Sequence, residues 1–395
     1  MKSKMKRSLL CCAALALPAS ASHAQSTVTL YGVIDEGLMY LSNTGGASGG
    51  KKIYLESLSG LMGSRWGLTG KEDLGGGWRA IFTLESGVNL NNGTAAQGGA
   101  QFGRQAFVGI AGDQFGTLTF GRQYDIIFYI PAPLTGSNLL GGDYATHPGD
   151  IDNAGNGLRV NNAIRFMSRD YSGFTFGGEY SVGGIAGNVT SNSGYSVGAA
   201  YATGPLKVAA AFEYFKTPTS ATPGSGFFTG NANGATTLSQ SLNSGYTGAQ
   251  AYQVAMVSAN YAISALTLAA SFSNVQYAHL GAAYANGTAR FNSYDVGARY
   301  QFSPALFMGV AYDYVIGAGV SKAAGGTVGN QHYHQVSFLA DYFLSKRTDV
   351  YLGVGWQRAS GTSSLGTRAV ADIDSLGDSS NNHQILARLA LRHKF

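Results

Sequence analysis

Three arginines in this 395-residue chain combine a chemically capable side chain with a telling position. Arg65, Arg104 and Arg159 each stand in a stretch where side chains alternate between two faces, as they do along a β-strand. Around Arg104 the opposite face carries Gln105, Phe107 and Gly109, and around Arg159 it carries Val160, Asn162, Ile164 and Phe166. Arg165 shares the face of Arg159, whereas Arg122 has the parity of Leu118 and Phe120, so it lies beyond the apolar band or follows a bulge. A ring of like charges on a water-facing wall can select ions; the plainer alternative is that these are solvated interior charges. Other chemistry is sparse. There is no Gly-rich phosphate loop with its lysine, no Gly-x-Ser-x-Gly elbow and no His-Glu-x-x-His pair. His332 and His334 share a strand face but have no third ligand near them in sequence. Neither catalysis nor a metal or cofactor is expected.

The elements that must hold those arginines are strands. In His383–Phe395, Ile385, Ala387, Leu389, Leu391 and Phe395 fall on one side, and Leu386, Arg388, Ala390, Arg392 and Lys394 on the other. The same two-faced pattern recurs. Tyr294, Val296, Ala298 and Tyr300 oppose Ser293, Asp295, Arg299 and Gln301, and Val350, Leu352, Val354 and Trp356 oppose Asp349, Tyr351 and Gln357. Charged residues make up 12% of the chain and hydrophobic ones 45%, yet beyond the N-terminus no apolar run is long enough for a membrane helix. Nearly every charge falls on the polar face. A Lys or Arg on a lipid-facing barrel position near the bilayer midplane costs roughly 2–4 kcal/mol.

Connections alternate in length. Short turns fall near 74–77, 112–114, 168–173, 202–205, 263–264, 302–304 and 345–347. Long Gly/Asn/Ser/Thr-rich segments lie near 42–60, 89–100, 123–158, 185–192, 217–248, 276–288, 317–331 and 360–380. Seven short and eight long connections require sixteen strands. The expected fold is therefore an all-β, transmembrane antiparallel barrel, whose closure leaves no unpaired backbone edge in hydrocarbon. A secreted β-sandwich would share the alternation but not the asymmetry of loops or the low charge.

Residues 1–24 read as an export signal to be excluded from the fold. Lys2, Lys4, Lys6 and Arg7 precede the apolar Leu9–Leu17, and Ser22-His23-Ala24 forms a small-x-small site with cleavage expected after Ala24. Both cysteines lie there, and without its four basic residues the net charge falls from +5 to about +1. Nucleic-acid binding is not expected. Residues 25–395 then form a single barrel.

The segment 123–158 is the longest of the first half and holds Pro131, Pro133, Asp143, Pro148, Asp150 and Asp152 just before Arg159. Folded inward, it would narrow the open lumen of a sixteen-strand barrel.

Several stretches together, in order and spacing, resemble the Gram-negative general porins, those of β-proteobacteria above all. They are Thr29-Leu30-Tyr31-Gly32, Ser64-Arg65-Trp66-Gly67-Leu68, Glu72-Asp73-Leu74-Gly75, Arg104-Gln105-Ala106-Phe107-Val108-Gly109, Phe120-Gly121-Arg122, Arg159-Val160-Asn161-Asn162-Ala163-Ile164 and Arg392-His393-Lys394-Phe395. The resemblance implies a homotrimer in the outer membrane, among lipid and lipopolysaccharide, with short periplasmic turns and a third loop folded into each lumen. It matches Arg65, Arg104 and Arg159 to the wall arginines of a constriction. It also implies that Phe395 is read by the barrel-assembly machinery. The loop departs from the family's Pro-Glu-Phe-Gly-Gly pattern; Leu140-Gly141-Gly142-Asp143 is the nearest approach. Asp143, Asp150 or Asp152 can each supply the opposing acid. The expectation is passive diffusion of small hydrophilic solutes and ions with mild anion preference. A substrate-specific channel and a secreted adhesin are the alternatives.

Overall fold

A computed structural model describes residues 26–45, 49–217, 238, 240–374 and 376–395. The expected signal at 1–24 and most of the expected loop at 217–248 lie outside the described residues.

Alternating segments become long strands. In chain order these are β1 (Thr27–Leu41), β2 (Lys52–Glu56), β3 (Arg65–Gly75), β4 (Trp78–Gly87), β5 (Gln105–Gly112), β6 (Gly116–Gln123), β7 (Val160–Ser168), β8 (Phe174–Ser181), β9 (Gly194–Thr203) and β10 (Leu206–Lys216). The second half contributes β11 (Ala251–Ile263), β12 (Leu266–Ala278), β13 (Ala289–Ser303), β14 (Leu306–Ala318), the short hairpin β15 (Val320–Ser321) and β16 (Thr327–Val328), then β17 (Gln331–Phe343), β18 (Thr348–Gly361) and β19 (His383–Lys394). Apart from β15 and β16, all belong to one antiparallel sheet, closed where β1 pairs with β19 from Val33↔Lys394 to Leu41↔Leu386. Both β2 and β3 pair with β1, over Gly37–Leu41 and Thr27–Val33 respectively, so they are two halves of one stave and the barrel has sixteen staves.

The segment expected as a loop at 42–60 thus contains a strand. The reason is local: Ile53 and Leu55 supply an outward apolar face, and the Glu56 carboxylate then accepts the Leu58 and Ser59 amides at 2.7 and 2.9 Å, turning the chain off the sheet. The seven short turns between strands fall where the turn residues put them.

Alternation sorts the two faces. Leu30, Val108, Val296 and Leu389 stand exposed around the outside, while Asp295, Gln335, Ser337, Asp341, Arg388 and Arg392 are buried on the inside. At the seam, Phe395 continues the ladder. Its amide and carbonyl pair with those of Gly32, both at 3.1 Å. A β-carbon at Gly32 would stand 2.4 Å from Cζ of the Phe395 ring, so only glycine leaves room for the ring.

The connection from β6 to β7 is organised by its own caps. Asp125 accepts the Phe128 amide at 2.8 Å to open the helical turn Ile126–Tyr129, and Thr135 accepts the Asn138 amide at 3.2 Å to open Gly136–Leu140. This connection packs on inward-facing wall residues. Asp295 accepts the Gly136 and Ser137 amides at 2.6 and 2.8 Å, Gln335 donates to the Thr146 carbonyl at 2.7 Å, and Ser337 donates to the Tyr144 carbonyl at 3.1 Å. Gly136 and Gly297 meet backbone to backbone, and a β-carbon on Gly297 would lie 2.5 Å from Gly136 Cα. Leu242 and Tyr246, from the segment after 239, join the same buried cluster. Among the described residues, one side of the interior is thus filled by side chains and the other is open.

Candidate functional site

The open side is a cavity of about 660 Å³. It is lined by Arg65, Arg104, Arg159 and Asp143, with Asn138 and Gln97 beside them. Strand ends bring the arginines together: Arg65 opens β3, Arg104 immediately precedes β5 and Arg159 immediately precedes β7. Between them stands Glu85 of β4, whose cross-strand partners are Gly67 and Gln105. Arg104 Nε donates to Glu85 Oε1 at 2.8 Å, Arg65 Nε approaches Oε2 at 3.9 Å, and the hydroxyls of Tyr31 and Tyr124 each donate to the carboxylate at 2.9 Å. The Tyr124 ring carries Arg104 and Arg159 at 5.9 and 5.6 Å from its centroid, within cation–π range. Arg159 also donates to the Gly157 carbonyl at 3.0 Å. Burial and the neighbouring charge of Arg104 bring its pKa down to about 10, so it remains charged at neutral pH.

Arg122, near the end of β6, does not line the cavity. Its Nε donates to the Gly103 carbonyl at 2.8 Å, and beside it the β6–β7 ladder shifts register between Gly121 and Gln123, with the additional residue on β7. Along β6 itself the alternation is unbroken, with Thr119 and Gln123 both buried and Arg122 paired with Ala106, so Arg122 keeps the parity of Leu118 and Phe120 at the end of its strand.

The three loop acids part company. Asp143 lines the cavity. Asp150 and Asp152 are buried, 2% and 0% exposed, and do not line it. Asp150 accepts the Gly155 and Gly157 amides at 2.8 and 2.7 Å, and burial beside the charge of Asp152 pushes its pKa up to about 8. Asp152 holds His147 Nδ1 at 2.8 Å. Burial would raise its pKa, but the imidazole outweighs that and brings it below the usual value. Both acids shape the loop from within.

Sequence reasoning missed Glu85 and Tyr124 as partners. Glu85 shares its strand face with Arg79 and Thr83, opposite Ala80, Phe82 and Leu84, but the register that sets it between two arginines is a property of pairing. It also missed a compensated arginine. Arg388 meets Asp35 at 3.0 Å and Glu56 at 2.8 Å and donates to the Tyr351 hydroxyl at 2.8 Å. That cation has two carboxylates to itself, whereas Arg65 and Arg104 share one. His332 and His334 face outward, each with Nδ1 against a tyrosine hydroxyl, Tyr314 at 3.1 Å and Tyr312 at 2.7 Å.

The site gathers three guanidinium groups on one part of its wall, with the carboxylates of Glu56, Asp143 and Asp374 elsewhere on the lining. A family model described as Gram-negative porin matches residues 11–362. An outer membrane porin protein of Bordetella pertussis is 37% identical over 232 residues, which are 53% of this chain and 59% of that protein. Outer membrane porin protein 32 of Delftia acidovorans is 34% identical over 223 residues, 54% of this chain and 61% of that one. The chain therefore spans less than two thirds of the length of these curated relatives. Among solved structures, an anion-selective porin from Comamonas acidovorans superposes with a TM-score of 0.67 at 21% identity, over 94% of this chain and 100% of that one, a likeness of fold. By the extent of the family match and the barrel it accompanies, the chain belongs to the Gram-negative porins.

Proposed function

We propose that this barrel is an outer-membrane channel for passive diffusion of small hydrophilic solutes and ions, with a mild preference for anions. The observation that carries the reading is the gathering of Arg65, Arg104 and Arg159 on one part of the cavity wall around a single carboxylate, Glu85; the lining elsewhere carries Lys52 and the acids Glu56, Asp143 and Asp374, of which Glu56 is already paired with Arg388. The outward belt of Leu30, Val108, Val296 and Leu389 suits hydrocarbon, and the Comamonas porin of similar fold is an anion-selective one. In this reading the connection after β6 is the constriction loop, with Asp143 its acid at the pore. The short turns face the periplasm, residues 1–24 direct export, three copies associate among lipid and lipopolysaccharide, and Phe395 addresses the chain to the assembly machinery. No cofactor or energy source takes part.

Planar-bilayer recordings of unheated protein test it. Conductance should rise in triplet steps, and the reversal potential in a KCl gradient should have the sign of chloride preference; clear cation selectivity would reject the charge argument. A substrate-specific anion channel is the second reading, favoured by the stacking of Arg104 and Arg159 on Tyr124, which fixes two guanidiniums in advance of any ligand. Saturable block of the current by one class of dicarboxylate or sugar phosphate would select it.

A further inference from the structure

Away from the arginines, two acids of the wall stand directly opposite each other. Asp295 of β13 and Asp313 of β14 are cross-strand partners on the inner face, 2% and 0% exposed. Like charges in that relation repel, and burial makes each carboxylate costlier still. The loop lays His147 over the pair. Its Nε2 lies 3.1 Å from Asp295 Oδ2 and 3.6 Å from Asp313 Oδ1, while Nδ1 is held by Asp152 at 2.8 Å. Asp152 in turn accepts the Ser273 hydroxyl. Asp295 is further tied by the Gly136 and Ser137 amides. Neither oxygen of Asp313 takes a hydrogen bond from an amide or hydroxyl donor, although the side chain is buried and aimed at the imidazole; its remaining neighbour is the facing carboxylate of Asp295. Among the described residues no Lys or Arg pairs with Asp152, Asp295 or Asp313, so three buried carboxylates have at most the imidazole to balance them.

We propose that this cluster is a divalent metal site of the zinc class, with His147 Nε2, one oxygen of Asp295 and one of Asp313 as ligands. The three ligand atoms all lie within 4.8 Å of one another. A tetrahedral ion with bonds of about 2.0–2.1 Å separates its ligands by roughly 3.3–3.4 Å, and the two distances at Nε2 straddle that value. Asp152 supplies the outer partner such sites use, holding the Nδ1–H so that Nε2 presents its lone pair. A doubly charged ion on neutral imidazole offsets the two ligand carboxylates, leaves only the charge of Asp152, which the Nδ1–H and the Ser273 hydroxyl hold, and gives the Asp313 oxygens a cation. The donor set of one imidazole and two carboxylates suits zinc, cobalt or manganese better than calcium or magnesium. Since His147 comes from the loop and the two acids from the wall, the ion rivets the loop to β13 and β14. Its ligands are buried, so it is taken up as the barrel folds.

The test uses the untagged mature chain, unfolded with chelator and refolded in detergent with or without Co²⁺. After gel filtration, the folded protein should retain one cobalt per chain, show the visible absorption of a low-symmetry nitrogen–oxygen site, and unfold at a higher temperature than the metal-free preparation. Asp313→Asn, which keeps the side chain's shape, should weaken cobalt retention about ten-fold or more; if it fails to fold, His147→Gln is read in the same way. His332→Ala with His334→Ala removes the outward imidazoles and should leave retention unchanged. The proposal is overturned if wild-type protein refolds without holding cobalt or zinc, if Asp313→Asn or His147→Gln holds as much, or if retention depends on the outward pair. The first of these results would mean that an imidazolium and a proton shared by the two acids balance the cluster instead.

Discussion

In the proposed channel, Glu85 sets how much of the arginine charge a passing ion meets. It takes a hydrogen bond from Arg104 and two from tyrosine hydroxyls, and it lies near Arg65. Glu85→Gln removes the negative charge from the group but keeps the volume. The channel should become more anion-preferring, seen as a larger reversal potential in a KCl gradient. The amide has one oxygen in place of two, so one tyrosine loses its acceptor, a cost of about 1–3 kcal/mol that lowers the unfolding temperature. The opposite change is Arg104→Ala with Arg159→Ala, which should move the reversal potential toward cations. If neither substitution moves it, selectivity resides elsewhere in the channel. Arg388→Ala belongs to a different class: with two carboxylates left uncompensated in the wall, it should be felt first in folding yield.

The loop is an element fixed by wall residues that nothing in its own sequence identifies. Gln335 donates to the Thr146 carbonyl, and both Gln335 and Ser337 donate to that of Tyr144. Gln335→Leu strips the Thr146 carbonyl and takes one of two acceptors from Gln357, which keeps the Asp372 carbonyl. A buried group so orphaned costs about 1–3 kcal/mol. Ser337→Ala costs less, because Gln335 still serves Tyr144. The expected readout is open-channel noise, larger for the first variant than for the second. At the seam, Gly32→Ala places a methyl group against the Phe395 ring and the Arg65 carbonyl. It should reduce the folded fraction on an unheated gel, while Gly50→Ala, with open space around it, should not. Strand faces were legible in the sequence because a period of two survives any pairing partner: the inward places of Arg388 and Arg392 follow from counting along His383–Lys394. What could not be read is whatever depends on register between segments distant in sequence. The meeting of Glu85 with Arg65 and Arg104, the register shift between β6 and β7 beside Arg122, and the break between β2 and β3 are all of that kind. The loop acids were ambiguous for a related reason. Whether an aspartate faces water or a backbone amide is decided by turns such as Asp150–Gly157, which carry no periodic signal.

For the whole molecule, the apolar exterior and the charged interior make one device, because the wall that keeps hydrocarbon out is also a region of low dielectric around the lumen. Fixed charge on its inner face acts on solute through the water that fills the cavity, and dissolved salt screens it. The Debye length is about 10 Å at 0.1 M and about 3 Å at 1 M ionic strength. In dilute salt the field of Arg65, Arg104 and Arg159 reaches across the opening, and in concentrated salt it reaches little beyond their own hydration. If selectivity comes from that field, the chloride-to-potassium permeability ratio should fall toward unity as the mean KCl concentration of a fixed ten-fold gradient rises from about 0.1 M to about 1 M. Selectivity imposed by a binding site with direct guanidinium contacts would persist in high salt and appear instead as a current that saturates with anion concentration. Measuring the ratio and the saturation curve on the same channel separates a general diffusion pore from a specific one, and Glu85→Gln should steepen the salt dependence only in the first case.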